Sequence, residues 1–231
     1  MGALLGNFES RVRRSHRDTD PYEATRFTMI RPRLMITVLV CLSLASQADT
    51  HATDSVDSSE YLIKAGFVYN FAKLTEWPAG SFAQPESPIV IGILGRDPFG
   101  ATIDHVVDNK QINGRGVVVK RLKWGDSLKE RQYRLWMNDL LQCNILFVSS
   151  SEATHLDELI SIVKGVPILT VADTPGFAKR GGVINLILDD NKVRFEVNVE
   201  AARQANLNIS SRLLALARIV PQSAVDGKKS E

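Results

Sequence analysis

Apolar positions along this chain fall into short continuous runs separated by stretches with helical spacing. Ile89 to Leu94 and Ile145 to Val148 are nearly unbroken, as is Val166 to Ala172 apart from Pro167 and Thr170. Such runs suit strands buried on both faces, which means a parallel sheet covered by helices. Val117 to Leu122 reads as a further, more exposed strand, and helical segments fall at Phe99–Val107, Leu128–Leu140 and His155–Val163. This alternation predicts an α/β fold: a single-domain sandwich with a mostly parallel central sheet flanked by helices and right-handed crossovers. Toward the end the pattern changes to a C-terminal β-hairpin, Val183 to Leu188 and Lys192 to Val197 around a turn at Asp189-Asp190-Asn191. In its second strand Val193, Phe195 and Val197 face one way and Lys192, Arg194 and Glu196 the other. Asn198 can cap a following helix, Asn206–Ser210 interrupts it, and Ser210 or Ser211 starts a last amphipathic turn, Leu213 to Val220.

The first helix of the body is unusual. Ser58 or Ser59 can cap it, and it runs to Trp77, where Pro78 forces the preceding residue out of helical geometry. Leu62, Ala65, Tyr69 and Ala72 make one apolar stripe, while Ile63, Phe67, Phe71 and Leu74 make another. A helix apolar on two sides is either sandwiched in a core or shared between a core and a partner. Residues 49–58 are small and polar and read as a flexible arm, 59–221 as the α/β domain, and 222–231 as a polar tail.

Charge divides the chain. Residues 1–48 hold seven of the 28 basic side chains and four of the 26 acidic ones, leaving 21 against 22 in the rest. So neutral a body gives no compositional case for nucleic-acid binding, which needs clustered Lys and Arg. Within 1–48, Arg31-Pro-Arg33, the apolar stretch Leu34 to Ala45, and Ser46-Gln47-Ala48 form the three regions of a secretory signal peptide, with cleavage expected after Ala48. The expected destination is the periplasm, with no membrane insertion after cleavage. A retained anchor is the alternative, and Met29 gives the more usual start of such a leader, which makes residues 1–28 read as an over-long start. Cys41 lies within the apolar stretch behind Val40, a poor lipoprotein context, so cleavage would leave Cys143 as a lone thiol that cannot form an internal disulfide.

The search for chemistry finds no catalytic residues and no metal or cofactor site. Gly92 to Gly100 follows a strand and precedes a helix but is not G-x-G-x-x-G, and no Walker lysine accompanies Asp173-Thr-Pro-Gly176. His51, His105 and His155 have no i,i+4 partners, and no G-x-S-x-G elbow appears. The loop Asp173 to Gly182 follows a buried strand and carries Lys179, Arg180 and an exposed-looking Phe177. Ligands of open α/β sheets bind beyond strand C-termini, so a small-molecule pocket is a candidate there, against a structural turn.

Several segments together resemble one family. Lys64-Ala-Gly-Phe-Val-Tyr-Asn-Phe-Ala-Lys-Leu-Thr-Glu-Trp-Pro78 is similar to the opening helix of YfiR/HmsC-like periplasmic proteins. In register follow Ile91 to Gly100, Asn113-Gly-Arg-Gly116, Cys143 to Val148, Leu169 to Phe177, Gly181-Gly182, Arg194 to Asn198 and Ser211 to Arg218. The resemblance implies a non-enzymatic regulator that is often a homodimer. It binds the periplasmic sensor domain of an inner-membrane diguanylate cyclase and represses cyclic-di-GMP signalling, hence biofilm and exopolysaccharide output. It also implies an outer-membrane lipoprotein that can sequester the regulator. Typical regulators of this type use paired cysteines, which Cys143 alone does not supply. Tyr69, Phe71 and Trp77 are candidate partner anchors, combining apolar area with polar handles on Tyr and Trp, or they simply pack on the sheet. Phe177, Arg180, Arg194 and Glu196 are candidate ligand contacts, or structural ion pairs across the hairpin. A periplasmic small-molecule-binding sensor module is the alternative function, and an enzyme with a scattered site a third.

Overall fold

The computed structural model describes residues 51–125 and 129–221, with side chains from Ser59 onward. The signal-peptide reading and the polar tail lie outside the described residues. Helix α1 (His51–Lys73) leads to a two-residue strand β1 (Thr75–Glu76), then β2 (Ile89–Leu94) and α2 (Ala101–Val107). Next come β3 (Gln111–Ile112), β4 (Arg115–Leu122), α3 (Glu130–Leu141) and β5 (Ile145–Val148). A 3-10 stretch (Ser150–His155) opens α4 (Leu156–Ile162), followed by β6 (Leu169–Ala172), β7 (Ile184–Asp189) and β8 (Lys192–Val197). The chain closes with α5 (Val199–Gln204), β9 (Asn208–Ile209), α6 (Ser211–Leu214) and β10 (Arg218–Ile219).

The main sheet has eight strands in the order β10-β8-β7-β6-β5-β2-β4-β3. Only the β7–β8 and β3–β4 pairs are antiparallel. The sheet is therefore mostly parallel, as the continuous apolar runs predict. Alternate residues of each central strand feed separate cores. Ile91, Ile93, Ile145, Phe147, Leu169 and Val171 join α1, α2, α5 and α6 on one face. Leu94, Leu146, Val148 and Ala172 join α3 and α4 on the other, through Trp136, Leu140, Leu156 and Leu159.

Local chemistry sets the turns. Asp190 (φ 49°) and Asn191 (φ 56°) form the two-residue β7–β8 loop, and Asn113 (φ 52°) and Gly114 (φ 79°) the β3–β4 loop. Both pairs have positive φ, the primed-turn geometry that matches strand twist. Asn198 caps α5, its side chain accepting the Ala201 N–H at 2.9 Å.

Three expectations are corrected. Helix α1 spans His51–Lys73, starting two turns before Ser58 or Ser59 within the stretch read as a flexible arm and stopping short of Trp77, because Thr75–Glu76 pairs with β9. The last amphipathic turn stops at Leu214, and Arg218–Ile219 instead joins β8 as a parallel edge strand. Phe177 is fully buried rather than exposed. It belongs to the α3–α4 core, and the loop folds back over it with the Gly182 N–H donating to the Phe177 carbonyl at 3.1 Å. A Cβ on Gly182 would collide with the Phe177 ring. Gly182→Ala is expected to cost about 1–3 kcal/mol by overpacking. Adding Phe177→Leu should recover part of that loss, measured by urea denaturation of the single and double variants.

Candidate functional site

The placement of α1 decides what this molecule offers to others. Ala65, Val68, Phe71 and Ala72 are fully buried. The buried stripe thus runs between the two stripes read from the sequence, taking members of each. Phe71 lies with its ring centroid 5.1 Å from Phe195 and 5.8 Å from Phe67. It is core, out of reach of any partner; tertiary packing on β8 claims it. The outward ends of the two stripes, Leu62 and Ile63, are 54% and 51% exposed. Large apolar side chains are exposed elsewhere too, such as Leu135 and Leu216, but Leu62 and Ile63 are consecutive on one helix.

The remaining two candidate anchors are half-buried and structurally engaged. Tyr69 packs against the α1-side core with the Lys110 ammonium 5.5 Å from its ring centre. The Trp77 indole N–H donates to the Asn144 carbonyl at 3.2 Å, tying the exit of α1 to the start of β5. Asn144 also accepts the Val90 N–H through its side chain at 2.9 Å.

A buried charge cluster fixes the rotation of α1. Lys64 Nζ lies 2.7 Å from Asp173 Oδ2 and 2.7 Å from Glu60 Oε1, and the Lys64 and Asp173 side chains are 6% and 7% exposed. The Tyr61 hydroxyl donates to the same Asp173 oxygen at 2.9 Å. Burial works against the Lys64 charge, but the hydrogen bonds to Asp173 and Glu60 outweigh it and raise the ammonium above its ordinary value. Burial, aided by the Asp173 charge, pushes the Tyr61 phenol up to about 12.

The switch point between β2 and β5, where open α/β sheets bind ligands, is filled by the protein's own side chains. The Arg96 N–H donates to Ser151 Oγ at 2.9 Å, and Ser151 Oγ donates to Glu152 Oε1 at 2.9 Å. Any Cβ on Gly95 would sit 2.6 Å from that same Glu152 oxygen. His155 Nδ1 lies 3.1 Å from the other Glu152 oxygen, its ring stacked on Trp124 with centroids 4.5 Å apart. Ser151 thus bonds to the carboxylate and not to the imidazole, which is not a nucleophile–base pair. Burial pushes the Cys143 thiol up to about 12, keeping it protonated and inert. Among the described residues no group of three or more His, Cys, Asp and Glu is placed to hold a metal.

The four candidate ligand contacts do not converge. Arg180 is held by Asp157 through two contacts, Nε at 2.9 Å and a terminal nitrogen at 2.7 Å, and lines a cleft of about 530 Å³. Arg194 lines a separate pocket of about 200 Å³ and pairs with Asp189 at 3.2 Å. Glu196 is buried, with Arg218 at 3.8 Å; Arg218 also reaches Asp189 at 3.5 Å. Ion pairing across the hairpin and β10 therefore occupies Arg194 and Glu196, and Phe177 sits beneath its loop. Sequence reasoning missed Lys64, Tyr61 and Asp173 as a unit, and also the exposure of Leu62 and Ile63.

The molecule is a mostly parallel α/β sandwich whose switch point is filled and whose first helix leaves Leu62 and Ile63 exposed. The model of the YfiR/HmsC-like family matches residues 61–218, and the chain belongs to that family. No curated protein matches it. Among the described residues no helix is long and apolar enough to cross a membrane.

Removing one partner of a buried ion pair strands the other charge, so Lys64→Met and Asp173→Leu are each expected to cost about 3–5 kcal/mol. The double variant should lose far less than their sum, as read from a denaturation cycle. The Tyr61 contribution behaves differently with pH. Its phenol titrates near 10.0 when unfolded and about 12 when folded, so its stability is fully present below pH 10 and lost as pH rises through about 12. The melting temperature of Tyr61→Phe should fall less steeply than that of the wild type between those values.

Proposed function

We propose that this chain is a non-enzymatic periplasmic regulator acting by protein–protein contact. In this reading it binds the periplasmic sensor domain of an inner-membrane diguanylate cyclase and holds cyclic-di-GMP production in check, an outer-membrane lipoprotein relieving the repression. Membership of the YfiR/HmsC-like family supports it. The observation that carries the contact surface is the exposed pair Leu62 and Ile63 on α1. Tyr69 on α1 and Trp77 just beyond it, both half-buried, extend the surface toward the helix exit. Phe71 braces it from inside. Interface cores favour such apolar and aromatic groups over charged ones. Self-association of this chain would use the same surface or leave it free, and either suits a regulator whose active unit is a homodimer.

Deleting the gene is expected to raise cellular cyclic-di-GMP, and complementation with wild type to restore it. Complementation with Leu62→Asp/Ile63→Asp should fail although the protein folds, as shown by its circular dichroism and melting temperature. Both substitutions fall on exposed positions, which rarely disturb stability by more than about 0.5 kcal/mol. Unchanged cyclic-di-GMP on deletion would remove the cyclase from the reading, and full rescue by the double variant would remove the α1 surface.

A further inference from the structure

The cleft of about 530 Å³ lies at the opposite end of the sheet from the filled switch point. Its origin is visible in the register. Strands β6 and β7 pair only at Val171–Ile184 and Ala172–Asn185, so the sheet opens beside Leu169 and Thr170. There the Val183 N–H turns to the Thr170 hydroxyl oxygen at 3.0 Å. The loop returning from β6, the turn after α4 and the inner face of α5 close around the opening.

Its lining is divided by character. Ile160, Ile168, Ala201 and Ala205 give apolar walls, and Lys164 and Lys179 stand at the exposed rim. Arg180 is a third cation there, and Asp157, the carboxylate in the lining, is already committed to it. Among the described residues Lys164 and Lys179 have no ion-pair partner. Thr170, 4% exposed, accepts the Val183 N–H and donates its own proton to no described group. Apolar walls with surplus positive charge at the mouth and a spare buried donor complement one chemistry, and the volume falls within the usual range for small-molecule sites.

We propose that this cleft binds a small organic anion with an apolar body, a carboxylate in its simplest form. The head lies between Lys164 and Lys179, and the body rests on Ile160, Ile168, Ala201 and Ala205. An acceptor on the body would take the Thr170 proton. This site goes beyond the regulatory reading and does not depend on it.

The test is a chemical-shift titration of the ¹⁵N-labelled protein with octanoate, octylammonium and acetate. Octanoate is expected to shift the amides of residues 161–165 and 179–181 saturably. Octylammonium, which keeps the body and reverses the head, and acetate, which lacks the body, should not. Lys164→Glu/Lys179→Glu, at exposed positions that leave the fold intact, should weaken octanoate at least about tenfold, roughly the effect of losing one good charge contact. No saturable shift with octanoate, shifts centred elsewhere, an equal response to octylammonium, or unaltered affinity in the double variant would each overturn the proposal.

Discussion

The contact between Lys64 and Asp173 is the constraint on which the outer surface of this protein depends. Turning α1 by a single residue rotates it roughly 100° and exchanges buried for exposed positions. Both stripes of the helix are apolar enough to enter the core, so hydrophobicity alone leaves the rotation poorly specified. A charge that can reach its counter-charge in one orientation removes the ambiguity. Lys64 lies on the buried stripe with Ala65, Val68 and Phe71, and it meets the carboxylate at the exit of β6. With Lys64 inside, Leu62 and Ile63 must be outside. Buried ion pairs add little net stability but can specify one arrangement over its neighbours, and here the arrangement specified is the apolar surface itself.

The two ends of the sheet have different uses. At the strand C-termini, Ser151, Glu152, His155 and Trp124 form a bonded and stacked plug, and Tyr61 and Lys64 separately tie the covering helix to Asp173 at the exit of β6. A ligand there would have to displace hydrogen bonds of 2.9–3.1 Å between groups already satisfied. At the strand N-termini the sheet is looser, because β6 and β7 pair over so short a length. The C-terminal end of the sheet is thus closed, and the open volume lies where β6 and β7 part, with apolar walls and a cationic rim.

The elements legible in the sequence were those whose signal is local. Strands β2, β5 and β6 are buried on both faces and read as continuous apolar runs; Asn198 announces the start of α5; the β7–β8 hairpin alternates around a turn of Asp and Asn. The two-residue strands β1, β3, β9 and β10 carry no period to detect, although Asn113-Gly114 is a hairpin turn signal in its own right. The candidate site was less legible, for a physical reason. Lys64 and Asp173 are 109 residues apart, and nothing near either one names the other. The burial of Phe71 and Phe177 follows from which neighbours arrive later, Phe195 in one case and the returning loop in the other. Exposure of Leu62 and Ile63 is likewise a property of the assembled layers and not of the helix.

Helix α5 connects the open cleft to the layer that holds α1. Its Ala201, and Ala205 at its C-cap, line the cleft and also belong to the core packed beneath α1, together with Ala202. Such interiors are close-packed, and small residues leave little slack for a wall to move without its neighbours following. An occupant of the cleft and a partner on α1 would therefore bear on one continuous layer from two sides. Any influence of one on the other is bounded by how differently the occupant binds the two arrangements of that layer, and by reciprocity the partner must change the occupant's affinity by the same factor. The charge cluster at Lys64 limits the arrangements available, because rotating α1 would break it.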